Sequence, residues 1–227
     1  GQIVGVAGVA RNGLRELQEA IAGLRAVKGG SIRLGERNIT SASPRERSRA
    51  GLAYVPEDRL GTGLASGLTI EENLVLKSYR EPPHSRFGVL SSSAVATTAR
   101  TLIERFDVRG ARRGMAVSLM SGGNLQKAIL ARELTRTHDV LLAASPTRGL
   151  DLAATAAVRG HIRAETDDGR GGLLFSEDLA EITELADVIV VMSRGRIVGS
   201  YTPETLDVEE LGLLMTGAKT HSGSPAA

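Results

Sequence analysis

The sequence predicts an α/β fold in which helices are wound around a mostly parallel β-sheet, with a helical subdomain inserted into the chain. Short runs of valine, isoleucine, leucine and alanine are typical of buried parallel strands. Helical patterns alternate with these runs along the chain, which favours a wound sheet. The alternation stops once, over residues 66–120, and this interruption indicates the insertion. The candidate strands are residues 3–6, 52–55, 140–144, 173–175 and 188–192.

Apolar residues at helical spacing mark the elements between the strands. The residues with this spacing are Val95, Ala99, Leu102, Ile103 and Phe106, then Leu130 and Leu134, then Ile182, Leu185 and Ala186. We expect residues 66–120 to be mostly helical. One domain is predicted over residues 1–217, and the small, polar residues 218–227 are predicted to be a disordered tail.

Composition excludes several function classes. The 227 residues carry 28 basic and 26 acidic side chains, a net charge of +2, with only three tyrosines, three phenylalanines and no tryptophan. Nucleic acid is therefore not an expected partner, because the charges are mixed and few rings are present for base stacking. Without cysteine and with four scattered histidines, we expect no disulfide and no metal centre. No apolar run is long enough to predict a membrane span, so a cytosolic location is the default.

The segment after the first strand has the layout of a phosphate-binding P-loop, with Gly8 and Gly13 between a strand and a helix. Such a loop needs lysine and then serine or threonine after its second glycine, but Leu14 and Arg15 stand there. Arg11 and Arg15 offer positive charge for a phosphate, with Asn12 between them. An ordinary tight turn between strand and helix, with solvated arginines, fits the same residues.

A second glycine-rich segment opens a helix at Ser121, Gly122 and Gly123, followed by Asn124 and Gln126. Serine is a favoured helix N-cap, and the two glycines allow an anion to approach the free backbone N–H groups. The helix dipole strengthens the attraction. A capped amphipathic helix with no ligand is the alternative.

The two motifs together resemble a known family. Residues 120–127 and the Pro-Thr-Arg-Gly-Leu-Asp run at 146–151 look like the signature and post-Walker-B segments of ABC importer ATPases. Residues 55–64 and 176–179 resemble the second ATPase half of tandem-domain importers for simple sugars and nucleosides, and residues 143–151 look closest to nucleoside-type members. The resemblance covers residues 1 to about 217. It implies a P-loop NTPase-like ABC domain whose usual N-terminal antiparallel segment is truncated.

The sequence departs from this family at the positions that carry catalysis. Ala144 and Ser145 stand where the family has an aspartate for Mg²⁺ and a glutamate general base. Glu57 replaces a glutamine and Glu177 replaces a switch histidine, and both bring negative charge toward the place of a triphosphate. We therefore expect no local catalytic residues, no metal bound by the chain and little or no ATP hydrolysis by this chain alone.

The resemblance also implies how such a domain is used. In this family two nucleotide-binding domains meet head to tail, and each ATP lies between one domain's P-loop and the other's signature. Ser121, Gly122, Gly123, Asn124 and Gln126 would then serve the ATP and Mg²⁺ of a competent partner domain, with Asp151 as the D-loop residue.

The expected partners are that domain, upstream on the same natural polypeptide, and membrane permease subunits contacted near residues 67–76. The expected location is the cytoplasmic face of the membrane. A regulatory or scaffolding module that docks the permease without serving any ATP site remains an alternative, favoured if residues 121–123 are buried in their own domain.

Overall fold

A computed structural model of the chain describes residues 1–9, 11–205 and 208–216. The strands are β1 (Ile3–Ala7), β2 (Arg33–Leu34), β3 (Arg37–Asn38), β4 (Leu52–Val55), β5 (Ser85–Arg86), β6 (Val89–Leu90), β7 (Val140–Ala144), β8 (Gly171–Ser176), β9 (Val188–Ser193) and β10 (Arg196–Tyr201). The helices are α1 (Leu14–Ala22), α2 (Pro44–Arg49), α3 (Ile70–Val75), α4 (Ser92–Arg105), α5 (Gly122–Leu134), α6 (Leu152–Asp167), α7 (Leu179–Leu185) and α8 (Val208–Thr216). A π-helical turn covers Arg59–Gly63 and a 3₁₀ turn covers Val117–Leu119.

The chain divides into two compact units. The sheet unit comprises Gly1–Tyr54, His138–Ser145 and Ile162–Ala227, and the helical unit comprises Val55–Thr137 and Pro146–His161. Residues 66–120, the predicted insertion, lie inside the helical unit. Helix α5 belongs to the same unit because it packs against both α3 and α4, so that one core extends past residue 120.

A six-stranded sheet in the order β10-β9-β1-β8-β7-β4 organises the sheet unit. Strand β1 lies between β8 and β9 and is parallel to both, with Ala7 opposite Ser176, and β7 is parallel to β8. The predicted α/β class with a mostly parallel sheet is confirmed. Because parallel strands end at one edge, the loops after β1, β7 and β8 all begin at that edge.

The core of the sheet unit joins the strands to α1. Its buried members are Val6, Ala22, Leu52, Leu142, Phe175 and Met192, and Leu14 and Leu17 of α1 pack against them. The guanidinium of Arg47, itself only 2 % exposed, donates to the carbonyl oxygens of Ile21 and Thr40 at 2.7 Å each. The bond to Ile21 satisfies a carbonyl at the end of α1 that has no partner in the helix, and the bond to Thr40 ties the segment after β3 to the same guanidinium.

Helix α5 is the centre of the helical unit, since every residue from Leu125 to Leu134 is buried. Its charged C-terminal residues form an internal cluster in which Glu133 accepts from Arg132 at 2.9 Å and is paired with Lys77. Helix α3 begins at a capping box between Thr69 and Glu72, which satisfies two backbone donors at its start.

All five predicted strands are present, but three features were missed. The edge strand β10 pairs antiparallel with β9; its residues are half-exposed and include Gly199, so they do not form a buried apolar run. The two-stranded hairpins β2–β3 and β5–β6 are too short to show alternation. The predicted disordered tail lies outside the described residues. Within residues 1–9, 11–205 and 208–216, no helix combines the length and apolar composition needed to cross a membrane.

Candidate functional site

The loop between β1 and α1 lies where the sequence predicts a P-loop. Gly13 precedes α1 with φ 96°, a left-handed conformation that glycine adopts without strain. A Cβ on Gly8 would lie 2.4 Å from Cδ1 of Leu14 and 2.7 Å from the carbonyl oxygen of Met192. The side chain of Leu14 therefore lies against the start of the loop, where a lysine would reach outward to a phosphate.

Asn12 fastens this loop to the end of the sheet. Its Nδ2 donates to the carbonyl oxygens of Met215 at 2.6 Å and Met192 at 3.4 Å, and its Oδ1 accepts from the N–H of Arg194 at 3.1 Å. The backbone carbonyl of Asn12 also accepts from Gly195. With a side chain bonded on both ends and 9 % of its surface exposed, Asn12 has a structural role and does not face a ligand.

The two arginines of the loop differ in their surroundings. Nε of Arg15 lies 2.8 Å from Oε1 of Glu19, and Glu19 also pairs with Arg25 at 2.7 Å. Hydrogen bonds from Arg15 and then from Arg25 lower the pKa of Glu19, so the carboxylate is charged and offsets Arg15. Arg11 is exposed and has φ 70°. The prediction that Arg15 supplies charge for a phosphate is thus opposed by its pairing with Glu19.

The end of β7 carries no carboxylate, the group that the family uses there to hold magnesium. Ala144 ends β7 with its side chain buried, and Ser145 follows at φ 41° with its N–H donated to the carbonyl of Phe175 at 2.7 Å. Ser176, the last residue of β8, lies opposite Ala7, the last residue of β1. Glu177 follows Ser176 and is exposed, so its carboxylate is near the start of the loop between β1 and α1. Within the described residues no group of three or more histidine, aspartate or glutamate side chains is placed to hold a metal ion. These residues do not fit a magnesium-bound triphosphate.

The second predicted site, at the start of α5, is open. Ser121 is exposed at the N-cap with φ −67° and ψ 155°, and Gly122 and Gly123 are half-buried. Nδ2 of Asn124 donates to Oγ of Ser121 at 2.9 Å, and Oδ1 of Asn124 accepts from the N–H of Arg109 at 2.7 Å. Because its oxygen already accepts a bond, the Ser121 hydroxyl is positioned to donate outward. No acceptor among the described residues takes the N–H of Gly122 or Gly123.

Gln126, predicted to act with this open group, is buried. This side chain is 1 % exposed and cannot reach a ligand held by another domain. It lies on the inner face of α5, where Oε1 accepts from Nε of Arg59 at 2.9 Å. Spacing along a helix cannot distinguish these faces when nearly the whole helix is buried.

Arg59 is the functional candidate that sequence reasoning missed. A Cβ on Gly122 would lie 3.3 Å from its Nη1, so the guanidinium is beside the open N-terminus of α5. Partial burial lowers the pKa of Arg59, but an arginine keeps its charge at any ordinary pH. A positive charge beside free N–H groups strengthens an anion site. The charged run Glu57-Asp58-Arg59, which follows β4, is the sequence feature that could have indicated this arginine.

Glu57, predicted to bring negative charge toward a triphosphate, has a cationic partner in the structure. Its carboxylate forms an ion pair with Nη1 of Arg148, while Arg59 donates to the carbonyl of the same arginine. Within the helical unit, Glu57 therefore does not present an uncompensated negative charge.

Asp151 caps α6: its Oδ1 accepts from the N–H of Ala154 at 2.8 Å. The residue is exposed, and two large apolar side chains near the two helix starts are exposed as well, Leu119 at 75 % and Leu152 at 90 %. The starts of α5 and α6 are close together, since a Cβ on Gly123 would lie 3.1 Å from Cβ of Ala154. Exposed apolar side chains around a polar motif are typical of a surface that meets another protein.

A family model described as "ABC transporter" matches residues 1–148 of the chain. Because this match covers more than half of the chain, the chain belongs to the ABC transporter family, and its fold is that of the ATP-binding cassette. The predicted family and the predicted fold class are confirmed at this level.

Curated relatives of the chain are import ATP-binding proteins. It is 44 % identical over 217 residues to the nucleoside import ATP-binding protein NupA of Lactococcus lactis, covering 96 % of this chain and 43 % of the relative. It is 43 % identical over 218 residues to the guanosine import ATP-binding protein NupO of Bacillus subtilis, with the same shares covered. The glucose import ATP-binding protein TsgD13 of Haloferax volcanii is 44 % identical over 222 residues, with 96 % and 40 % covered. The chain thus spans about two fifths of the length of these relatives.

Solved structures show the same fold at low identity. A dimeric ATP-binding cassette in a post-hydrolysis state with ADP and Pi has a TM-score of 0.73 at 17 % identity, covering 89 % of this chain and 85 % of that chain. A nucleotide-free ATP-binding cassette has a TM-score of 0.72 at 17 % identity, covering 88 % and 80 %.

Proposed function

We propose that the chain is the ATP-binding, energy-coupling component of an ABC importer for simple sugars or nucleosides. The identities of 43–44 % to nucleoside, guanosine and glucose import proteins support this class of cargo. The share of about two fifths is what one half of a tandem-domain protein would cover, so the chain corresponds to a single half. The competent half then lies upstream on the same natural polypeptide.

In this proposal the chain is the degenerate half, and its own P-loop does not support hydrolysis. Leu14 lies against Gly8, Arg15 is paired with Glu19, and Ala144 and Ser145 bring no carboxylate to the end of β7. A general base and a Mg²⁺ ligand are both required to activate water for attack on a phosphate. Glu177 adds negative charge at the same edge of the sheet, which opposes a triphosphate further.

The contribution of this half is the start of α5, which serves the ATP and Mg²⁺ of the competent domain. The open arrangement of Ser121, Gly122 and Gly123 is the observation that carries this proposal. Two backbone N–H groups and one hydroxyl are available there, and the Arg59 guanidinium is beside them. Fixed donors of this kind stabilise the negative charge of a transferring phosphoryl group without reorganisation. The bound nucleotide would supply that charge, and the residues of this chain would orient the nucleotide and stabilise the charge.

The remaining parts of the helical unit have interface roles in this proposal. Asp151, which orders the start of α6, positions elements of the composite site across the domain interface, and the exposed Leu119 and Leu152 pack against the competent domain. Residues 67–76, which include α3, dock the permease. The chain is then a peripheral protein at the cytoplasmic face of the membrane.

Substitution of Ser121 by arginine in the assembled transporter tests the signature role. The larger cation would fill the open face, and we expect ATPase turnover driven by substrate to be lost. Ser92→Arg is the matched control, since Ser92 is an exposed serine in the first turn of α4 in the same unit. Turnover that is unchanged in Ser121→Arg would contradict the proposal. The alternative of a scaffold without any ATP site would be favoured by burial of residues 121–123, and the exposure of Ser121 gives it no support.

A further inference from the structure

The β5–β6 hairpin ends in a turn whose sequence does not suit its conformation. Ser85 pairs with Leu90 and Arg86 with Val89, so Phe87 and Gly88 form a two-residue turn with φ 53° and 80°. Two positive φ values define a type I′ turn, which favours Asn-Gly. A bulky residue at positive φ is conformationally unfavourable, so phenylalanine does not stabilise this turn. Outliers of this kind are often found at functional positions.

The hairpin tip, defined as Arg86 to Leu90, exposes an unusual amount of apolar surface. Phe87 is 93 % exposed, Val89 72 % and Leu90 49 %. Three large apolar side chains are thus exposed within four residues, whereas single exposed apolar residues are what a soluble domain normally shows.

Two arginines accompany this apolar tip, Arg86 within it and Arg80 shortly before the hairpin in the sequence. The guanidinium of Arg86 is 5.3 Å from the centre of the Phe87 ring, and that of Arg80 is 5.2 Å from the ring of Tyr79. Neither arginine forms an ion pair within the part of the chain that the structure describes. Glu81, the one acid in the sequence between Lys77 and Leu90, is 3.3 Å from Nη1 of Arg136. The charge of Glu81 is thus offset, and the tip is cationic.

The base of the hairpin is fixed to the helical unit. His84 is 5 % exposed, with Nδ1 3.2 Å from the carbonyl oxygen of Ser78 and Nε2 2.9 Å from Oγ1 of Thr98 on α4. The N–H of Ser91 donates to the carbonyl of His84 at 2.8 Å. The tip is therefore held on a rigid base and is not part of a loose loop.

We propose that the hairpin tip inserts into the headgroup region of a membrane that contains anionic lipids. Phe87, Val89 and Leu90 would enter the acyl boundary, and Arg80 and Arg86 would donate to lipid phosphates. The exposed fractions of these apolar side chains amount to on the order of 400 Å², taking about 200 Å² for a large side chain. A stable protein interface needs about 800 Å² per partner, whereas a bilayer requires no complementary shape.

This inference goes beyond the proposed function, because it involves neither nucleotide nor permease. A single small anchor gives weak and reversible binding, so the hairpin would act as a second contact for a chain already held at the membrane. Each arginine near an anionic surface contributes about a fivefold increase in affinity, and one buried phenylalanine contributes at least about tenfold.

Flotation of the whole chain with phosphatidylcholine vesicles, with and without phosphatidylglycerol, tests the proposal. We expect binding only to the anionic vesicles, and release at high salt because the charges are screened. Phe87→Asn suits the type I′ turn and should keep or raise the melting temperature while lowering vesicle affinity at least about tenfold. The double variant Arg80→Ser/Arg86→Ser should lower it roughly twentyfold. Ile197→Asn, which changes a 67 % exposed residue of β10 in the sheet unit, is the control and should bind normally.

Several outcomes would overturn the proposal. Absence of binding to anionic vesicles by the unmodified chain is one, and an equal loss of binding in Ile197→Asn is another. Binding that requires permease in the vesicles would assign the tip to a protein partner, and a dimer that Phe87→Asn converts to a monomer would assign it to a second copy. The assay contains no nucleotide, so failure of the proposed signature role would leave vesicle binding by the unmodified chain unchanged.

Discussion

Two glycine-containing segments of the chain lead into the N-terminus of a helix, and they differ in what lies in front of that helix. Before α1, the side chain of Leu14 lies against Gly8, and Asn12 is bonded to the end of the sheet unit. At the start of α5, Ser121 is exposed. Asn124, in the first turn of that helix, bonds to Ser121 and to the N–H of Arg109. The helix start at α1 is therefore covered by side chains of its own segment, and we call this segment closed. The helix start at α5 is not covered, and we call that segment open. The side chains around a helix start, more than the glycines, decide whether it can receive an anion.

The largest effect is expected at Glu133, which fixes the helix behind the open segment. Replacement of Glu133 by alanine leaves the buried Arg132 and the partly buried Lys77 without their shared carboxylate, which costs about 3–5 kcal/mol of unfolding free energy. Urea unfolding measures this loss, and Glu104→Ala, at an exposed acid of α4, is the control with little expected change. A loss below about 1 kcal/mol would show that the cluster does not stabilise α5.

The same residue predicts a pH dependence. Burial raises the pKa of Glu133, but the attraction of Arg132 and Lys77 outweighs it, and the net pKa lies below its ordinary value of 4.5. A lowered carboxylate pKa stabilises the fold above that ordinary value, and the contribution is lost as the pH falls below it. The stability difference between wild type and Glu133→Ala should therefore shrink as the pH falls below 4.5. A constant difference across this range would contradict the assigned ionisation.

The next largest effect is expected in the closed segment, at Asn12. Asn12→Ala removes the bonds to Met215, Met192 and Arg194 and leaves buried polar groups unpaired. We expect a loss of about 2–3 kcal/mol in unfolding free energy. Chemical denaturation measures the loss. A neutral result would mean that the loop is not held closed by this side chain.

The sequence predicts elements and motifs better than it predicts the contacts that open or close them. Runs of apolar residues predicted all five buried strands, and the glycine motifs predicted the two helix starts. Asn12 and Met215, by contrast, are 203 positions apart, Glu57 and Arg148 are 91 apart, and Arg59 and Gln126 are 67 apart. No local pattern shows such pairs, because they arise only when the chain has folded. For this reason the sequence did not indicate that Arg59 lies beside the start of α5, or that the side chain of Gln126 is buried.

Reopening the closed segment should restore part of its nucleotide affinity. Leu14→Lys/Arg15→Thr removes the side chain that lies against Gly8 and places a lysine and a hydroxyl where a P-loop has them. Calorimetric titration with ATP should show no saturable micromolar binding by the unmodified chain and at least about tenfold tighter binding by the double variant, since a charge-assisted hydrogen bond to phosphate is strong.

Leu24→Lys/Arg15→Thr, which makes the same two changes of charge but places the lysine at a half-exposed position just after α1, is the matched control for that titration. Saturable micromolar binding by the unmodified chain, with or without Mg²⁺, would show that Arg11 supplies the phosphate contact. The two glycine segments would then both receive anions, and the contrast between them would fail.

The smallest effect on stability is expected at Asn124, the counterpart of Asn12 in the open segment. Asn124→Ala removes one bond to the Ser121 hydroxyl and one from the Arg109 N–H, and water can replace both at this partly exposed position. We expect a loss of less than about 1 kcal/mol. Because the Ser121 hydroxyl loses the donor that orients it, ATPase turnover of the assembled transporter should nevertheless fall. Asn12→Ala should show the reverse order of effects, a large loss of stability with little change in turnover per folded molecule. If both variants changed stability and turnover alike, the two segments would share one role, and the distinction between a closed and an open helix start would have no functional meaning.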